Sequence, residues 1–447
     1  MRRVYITGIG VCSGVGHGSS AFFDGCLAGA AAVEPVPASW GAFYQPQSRH
    51  WSRLPAPDLL AAGLRKLDLL LLGKPAQLGV VCAHQALTEA GFLPAAPSRA
   101  FPQTDVPAER VGVYVGTGLG AAQAPFDNYF AHAVAPLKPA LVSLGLDPVN
   151  EGSVSEVLAQ LGRHPRVNPM VICQTMPNAI AANIAIRAGA QGPCKTATAA
   201  CASGTVAIGE AFKAVQRGEI DVALAGGVEH LGDATGAVFM GFDRLQTLAR
   251  PRTPPGSENR PFDAERSGFL FSEGGGAVLV LESQTSMARR GASPIAEIVG
   301  YAETCDAHSV AAISSEHNAI EAMLRLALHD AGIPASAIDY INAHGTGTEV
   351  NDRIEAELIA RHFPHRPWVN STKSILGHTI GAAGALECAA TALSLKHQRL
   401  HACVNLENPI ADLAFCTLSG PAHLQYAISQ SFGFGGHNAA LVLRCPP

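Results

Sequence analysis

Short apolar runs alternate along this chain with longer stretches in which apolar residues recur at helical spacing. "RVYITGIGV" (residues 3–11) reads as a buried strand ending in glycines, and "PAQLGVVCAHQALTEAGF" (75–92) as a helix closed by Gly91. "RVGVYVGTGLG" (110–120) repeats the strand-to-glycine transition, and "IDVALAGGVEH" (220–230) and "GGAVLVLES" (275–283) are further strands around a loop-rich section, 231–274. A second series opens at "SPIAEIVGYAET" (293–304). It continues with a helix over 317–332, the strand "IDYINAH" (338–344), a helix near 352–362 and "PWVNSTKSILGH" (367–378). Strands alternating with helices predict an α/β fold with largely parallel sheets. The two series share one grammar, which divides the chain into halves, 1–285 and 286–447, at the polar "SQTSMARRGAS". Residues 35–74 and 121–170 are irregular and read as surface elaborations.

Composition narrows the class. Hydrophobic residues make up 48% and charged residues 15% of 447, enough for a large buried core. The net charge of −5 and the lack of any Lys/Arg cluster argue against nucleic acid as a partner. "LDLLLLG" falls far short of the roughly 18 apolar residues of a membrane span. The N-terminus runs straight into a strand without the apolar region of a signal peptide. Eleven scattered cysteines with no C-x-x-C pair suggest a reducing cytoplasm rather than a disulfide framework.

Four segments carry chemistry. In "KTATAACASGTVAIGEA" (195–211) a strand-like run leads to Cys201, at or just before a helix N-terminus. A lone buried cysteine is usually a small hydrophobe. The positive end of a helix favours thiolate, however, and small neighbours let a bulky acyl group approach the sulfur. In "NAHGTGTEVND" (342–352) His344 ends a strand before a turn rich in hydroxyls and backbone donors; a locally bonded surface histidine is the plain alternative. In "NSTKSILGHTIGAAGALE" (370–387) Lys373 and His378 precede a Gly/Ala-rich helix carrying Glu387. Lys373 and Glu387 read most simply as a buried structural pair, whereas His378 beside the glycines does not. "SFGFGGHNAALVL" (431–443) is a glycine-rich link between strands that could also offer an amide to an oxyanion.

Nucleotide and metal readings fail on spacing. "GIGVCSG" (8–14) falls short of the dinucleotide fingerprint, no phosphate-binding G-x-x-x-x-G-K-[ST] occurs, and Cys201, His344 and His378 lack clustered zinc-ligand spacing.

Together the four segments, in this order, resemble the signature blocks of the β-ketoacyl-acyl-carrier-protein synthases, the condensing enzymes of fatty acid and type II polyketide synthesis. "RPFDAERSGFLFSEGGGAVLVLE" (260–282) is similar to the family's stretch before its second half, so the likeness spans nearly the whole chain. The resemblance implies a thiolase-like fold, two similar halves in an αβαβα sandwich, the first carrying the nucleophile and the second the His/His/Lys set. It implies decarboxylative Claisen condensation, with Cys201 accepting the acyl chain. His344 and His378 would stabilise the enolate from malonyl carrier protein, and Lys373, held by Glu387, would position them. The amides of Cys201 and Phe434 would form the oxyanion hole, with Phe434 also gating the pocket. Thr346 and Thr348 match positions that contact pantetheine, Leu119 matches one that lines the acyl pocket, and Asp352 and Glu355 match a structural acidic pair. No cofactor is implied, since substrates ride on the phosphopantetheine arm of acyl carrier protein. A homodimer, or a heterodimer with a chain-length-factor subunit, is implied as the assembly.

His437 stands where the family usually has threonine, and the stretch after Asp306 lacks the usual hydroxyls. These departures point to a specialised fatty acid, polyene or polyketide ketosynthase. Two alternatives stand beside it. A thiolase needs a second catalytic cysteine, and Cys416 and Cys445 lack its context. A non-catalytic chain-length factor typically lacks the nucleophile that is present here.

Overall fold

The computed structural model describes residues 1–42, 44–93, 106–125, 168–314 and 316–446. In the first half, strands β1 (Val4–Ser13), β2 (Val111–Gly116), β3 (Cys194–Ala197), β4 (Val222–His230) and β5 (Gly274–Ser283) lie side by side as β3-β2-β4-β5-β1. The second half has β6 (Ala296–Cys305), β7 (Tyr340–Asn342), β8 (Trp368–Asn370), β10 (Tyr426–Gly433) and β11 (His437–Arg444), with the short β9 (Ala414–Phe415) at its edge. Its order, β8-β7-β10-β11-β6, repeats that of the first half strand for strand, and Val4–Ile6 of β1 pairs antiparallel with Ala296–Ile298 of β6 where the two meet. The chain crosses from β5 to β6 through a short helix, Gln284–Arg290.

Helices complete the layers. Helices α1 (Lys74–Glu89) and α2 (Ala179–Ala188) share an apolar cluster with β2, β4 and β5 on one outer face. Helices α4 (Asn318–Ala331) and α5 (Glu349–His362) do the same for β7, β10 and β11 on the other. Between the halves lie α3 (Ser203–Arg217) and α6 (Ala383–His397), each touching strands of both. Residues 383–395 of α6 are buried all round, the mark of a helix enclosed in a core. This is the αβαβα sandwich of a thiolase-like fold. Among the described residues, no helix is long and apolar enough to cross a membrane.

The sheets are mixed, not largely parallel. β2, β3 and β4 run parallel, as do β7, β8 and β10, but β1, β5, β6 and β11 pair antiparallel with their neighbours. A strand buried on both faces is a continuous apolar run in either orientation, so the hydrophobic pattern does not distinguish them. The section 231–274 holds one helix, Ala237–Arg244. Residues 35–74 are largely irregular: Pro35 ends a short strand, Val33–Pro35, that pairs with His50–Ser52, and a helix lies at Lys66–Leu71. Of 121–170, residues 126–167 lie outside the described residues.

Candidate active site

Cys201 sits in a tight turn, Ala200–Ala202, that leads directly into α3. Ala200 has φ 47°, a left-handed conformation that an L-residue adopts only where its surroundings demand it. The small neighbours have a packing cause. A Cβ on Gly204 would lie 2.8 Å from the Ala385 nitrogen of α6, and one on Gly116 would lie 2.2 Å from the Ser203 backbone. The two central helices cross beneath the nucleophile at backbone distance, and this sets Cys201 at the junction of the halves.

The second half supplies the imidazoles. His344 follows β7 and His378 precedes α6; both are buried. His378 Nε2 lies 3.0 Å from Cys201 Sγ. Its other nitrogen, Nδ1, faces the Ile380 N–H at 3.3 Å. An amide only donates, so Nδ1 accepts and the ring proton of the neutral imidazole resides on Nε2, aimed at the sulfur. The Phe269 ring, edge-on at 5.0 Å, holds the imidazole plane.

His344 is set in the same way by a different donor. Lys373 Nζ contacts the His344 carbonyl at 2.7 Å, His344 Nδ1 at 3.1 Å and a carboxylate oxygen of Glu387. The three N–H groups of an ammonium match these three acceptors. Nδ1 therefore accepts, and Nε2–H of His344 is free to donate. The two imidazoles stand edge to face with centroids 5.6 Å apart. Burial, followed by the charge of Lys373, pushes both imidazoles well below the ordinary histidine range, so they are neutral donors. Burial likewise pushes the Glu387 carboxyl up, and Lys373 pulls it back.

Burial pushes the Cys201 thiol up to about 12, and the carboxylates of Glu387 and Glu229 add to the rise; Lys373 and the Phe434 amide, which donates to the sulfur, oppose it. That amide belongs to the tight link between β10 and β11. Gly433 is required there, because a Cβ would fall 2.7 Å from the Ala199 carbonyl and 3.2 Å from the Cys201 nitrogen. Phe434, with its side chain partly exposed, lines a cavity of about 710 Å³ together with Cys201, His344, His378, Thr346 and Thr348. The two threonine hydroxyls are bonded to each other at 2.8 Å.

Carboxylates hold the turn that carries these threonines. Glu355 accepts the amides of His344 and Gly345, each at 2.7 Å, and Asp352 accepts those of Thr346, Gly347 and Phe262. At the mouth, Asp306 accepts from Asn438 at 2.7 Å, and Gly435 donates to the Val310 carbonyl, tying the Phe434 loop to the segment after β6. His437 begins β11 opposite Cys305, with its ring against Gly435. Leu119 is not brought in. The loop after β2 turns its amides toward Glu229, and the Leu119 side chain is left 42% exposed, outside the described lining of the cavity.

Residues not singled out in the sequence also matter here. Asn259 donates to the carbonyls of Lys373 and Ser374 at 2.7 and 2.8 Å, and Arg266 donates to those of Thr348 and Glu349. Glu229 is fully buried at the end of β4. Its signal was a lone carboxylate in the apolar run "VALAGGVEH"; the signal for the other two is lost in a polar loop.

The β-ketoacyl synthase N-terminal domain family matches residues 1–286, and the C-terminal domain family matches 295–407. The actinorhodin polyketide β-ketoacyl synthase 1 of Streptomyces coelicolor is 33% identical, over 99% of this chain and 88% of its own length. The 3-oxoacyl-[acyl-carrier-protein] synthase 2 of Staphylococcus aureus is 31% identical, over 99% and 98%. Among solved structures, a β-ketoacyl synthase from Burkholderia phymatum superimposes with a TM-score of 0.83 at 29% identity over the whole of both chains. The ishigamide ketosynthase/chain length factor does so with a TM-score of 0.79 at 28% identity, again over the whole of both. With both domain families matched along a chain that gathers a buried cysteine and two neutral histidines in one cavity, this protein belongs to the β-ketoacyl synthase family.

Proposed function

We propose that the chain is an elongating β-ketoacyl-acyl-carrier-protein synthase in which Cys201, His344, His378 and Lys373 act as one set. The observation that carries this reading is the 3.0 Å contact of His378 Nε2 with Cys201 Sγ in a cavity that also holds His344. Cys201 Sγ attacks the carbonyl of an acyl thioester. The bond to pantetheine sulfur breaks, and the cysteine proton leaves with the departing thiol. The amides of Cys201 and Phe434 meet the oxyanion. A malonyl thioester then loses CO₂, and the electron pair passes to its thioester oxygen, where the Nε2–H groups of His344 and His378 stabilise the enolate. The enolate carbon attacks the acyl group and expels the Cys201 sulfur, which takes up a proton from solvent. One such donor is typically worth about 10²–10³ in rate.

Thr346 and Thr348 contact the pantetheine arm, Phe434 gates the cavity, and Glu387 holds Lys373. Acyl carrier protein docks at the mouth in the cytoplasm, and the chain works as a homodimer or beside a chain-length-factor-like subunit. The names of the Staphylococcus relative and of the ishigamide structure support these partners. The division at 285/286 separates the half bearing the nucleophile from the half bearing its three partners.

Incubation with acyl- and malonyl-carrier protein, followed by mass spectrometry, tests the reading. Wild type should gain one acyl group, Cys201→Ala none, and His344→Ala and His378→Ala should acylate but release CO₂ at least a hundredfold more slowly. Acylation missing from wild type, or persisting in Cys201→Ala, would sink it.

A further inference from the structure

Glu229 has no exposed surface. A carboxylate removed from water is costly unless donors meet its oxygens. Here uncharged donors do so from both halves. Oε1 accepts the Thr117 hydroxyl at 3.0 Å and the Leu119 amide at 3.2 Å, while Oε2 accepts the amides of Gly118 at 2.6 Å and Gly381 at 3.1 Å. Two glycines make room for this. A Cβ on Gly118 would lie 2.9 Å from Oε2, and one on Gly381 would lie 2.5 Å from Oε2 and 2.2 Å from the Gly118 nitrogen.

Gly381 follows Ile380, whose φ of 50° is a rare conformation for a β-branched residue. Such strain persists only where the surroundings over-determine it. The Ile380 N–H, 3.3 Å from His378 Nδ1, is the donor that places the imidazole proton on Nε2, facing Cys201. One connected path therefore runs from the Glu229 carboxylate through the Gly381 amide and the strained turn to the histidine ring.

We infer that Glu229 is a positioning residue for His378: by holding the Gly381 amide it fixes the turn 379–381, and with it the tautomer and aim of the imidazole. This rests on the proposed role of His378 as a donor to the enolate. A simple brace between the halves would raise stability without setting the tautomer.

Glu229→Gln keeps the shape but turns an NH₂ group toward N–H donors. The first readout needs no substrate: the imidazole ¹⁵N signals of His378 in protein labelled with ¹⁵N-histidine, assigned by difference from His378→Ala. Wild type should show a bare Nδ1 and a protonated Nε2, and Glu229→Gln should average the two. The second readout is turnover of malonyl-carrier protein. In Glu229→Gln, kcat for CO₂ release should fall at least tenfold with KM within threefold, while Cys201 acylation falls by no more than threefold. Thr117→Val removes one donor and keeps the carboxylate; it should move both readouts the same way by a smaller factor, and it decides the matter if Glu229→Gln does not fold. Unmoved His378 signals overturn the inference, as does a uniform fall in acylation and decarboxylation. If wild type releases no CO₂, the proposed function fails, while the ¹⁵N signals still decide the positioning.

Discussion

At the scale of single residues, the site is a set of protonation states imposed by burial and by who donates to whom. His344 and His378 stay neutral because burial and Lys373 both disfavour a second positive charge. Their lowered range keeps the donor form intact as pH falls past the ordinary histidine value. Two carboxyls behave oppositely. Burial pushes Glu229 and Glu355 up to about 7, although the amides of Gly118 and Gly345 pull each back. Each accepts several N–H groups when ionised, and protonation turns one acceptor into a donor facing donors. The ionised form dominates above about 7, so CO₂ release from malonyl-carrier protein should be highest there and decline as pH falls through that value. Glu355→Gln, which keeps the Gln430 neighbour but cannot titrate, should lose its share of that decline. A rate level from pH 8 to pH 5.5 in wild type would refute this origin. Cys201, His344, His378, Lys373 and Glu387 were legible because each lies in a short motif of unusual residues. Glu229 was not, because a single letter in an apolar strand does not say which loops it will meet.

At the scale of elements, the central helices show why glycine content is not flexibility. Gly209 lies in the middle of α3, where alanine would ordinarily favour the helix by about 1 kcal/mol. Its missing side chain is filled by the Tyr301 ring of β6; a Cβ there would fall 2.1–2.4 Å from the ring atoms. Tyr301 is itself buried in the main core cluster, so the ring has little room to retreat. Overpacking of this kind costs about 1–3 kcal/mol, which outweighs the propensity gain. Gly209→Ala should therefore lower the melting temperature, read by circular dichroism, and a raised one would show that the ring moves freely. Long strands and amphipathic helices were legible from period alone. The orientation of β1, β5, β6 and β11 was not, since a doubly buried strand looks the same either way. Nor was the helix at Ala237–Arg244, whose short span lies in a loop-rich section.

At the scale of the molecule, the repeated halves are not equivalent at their edges. The second half ends in β9, whereas β3 ends the first with its outer backbone edge unpaired among the described residues. Beside it, α2 packs on β3 and leaves Ile186 76% exposed; Ile172, Met176 and Leu119 add exposed apolar surface from the same half. An exposed strand edge with apolar neighbours is a template for pairing. A second subunit seated here would continue the sheet and cover Ile186. Burying an isoleucine contributes about 1.5–3 kcal/mol, and a twofold axis counts the contact twice. Ile186→Glu should therefore raise the dimer dissociation constant at least a hundredfold, because each 1.4 kcal/mol is a factor of ten. Sedimentation velocity at micromolar concentration should show wild type as a dimer and the variant as a monomer with an unchanged circular dichroism spectrum. A variant dimer of unaltered affinity would place the interface elsewhere, and a wild-type monomer would overturn the homodimer itself.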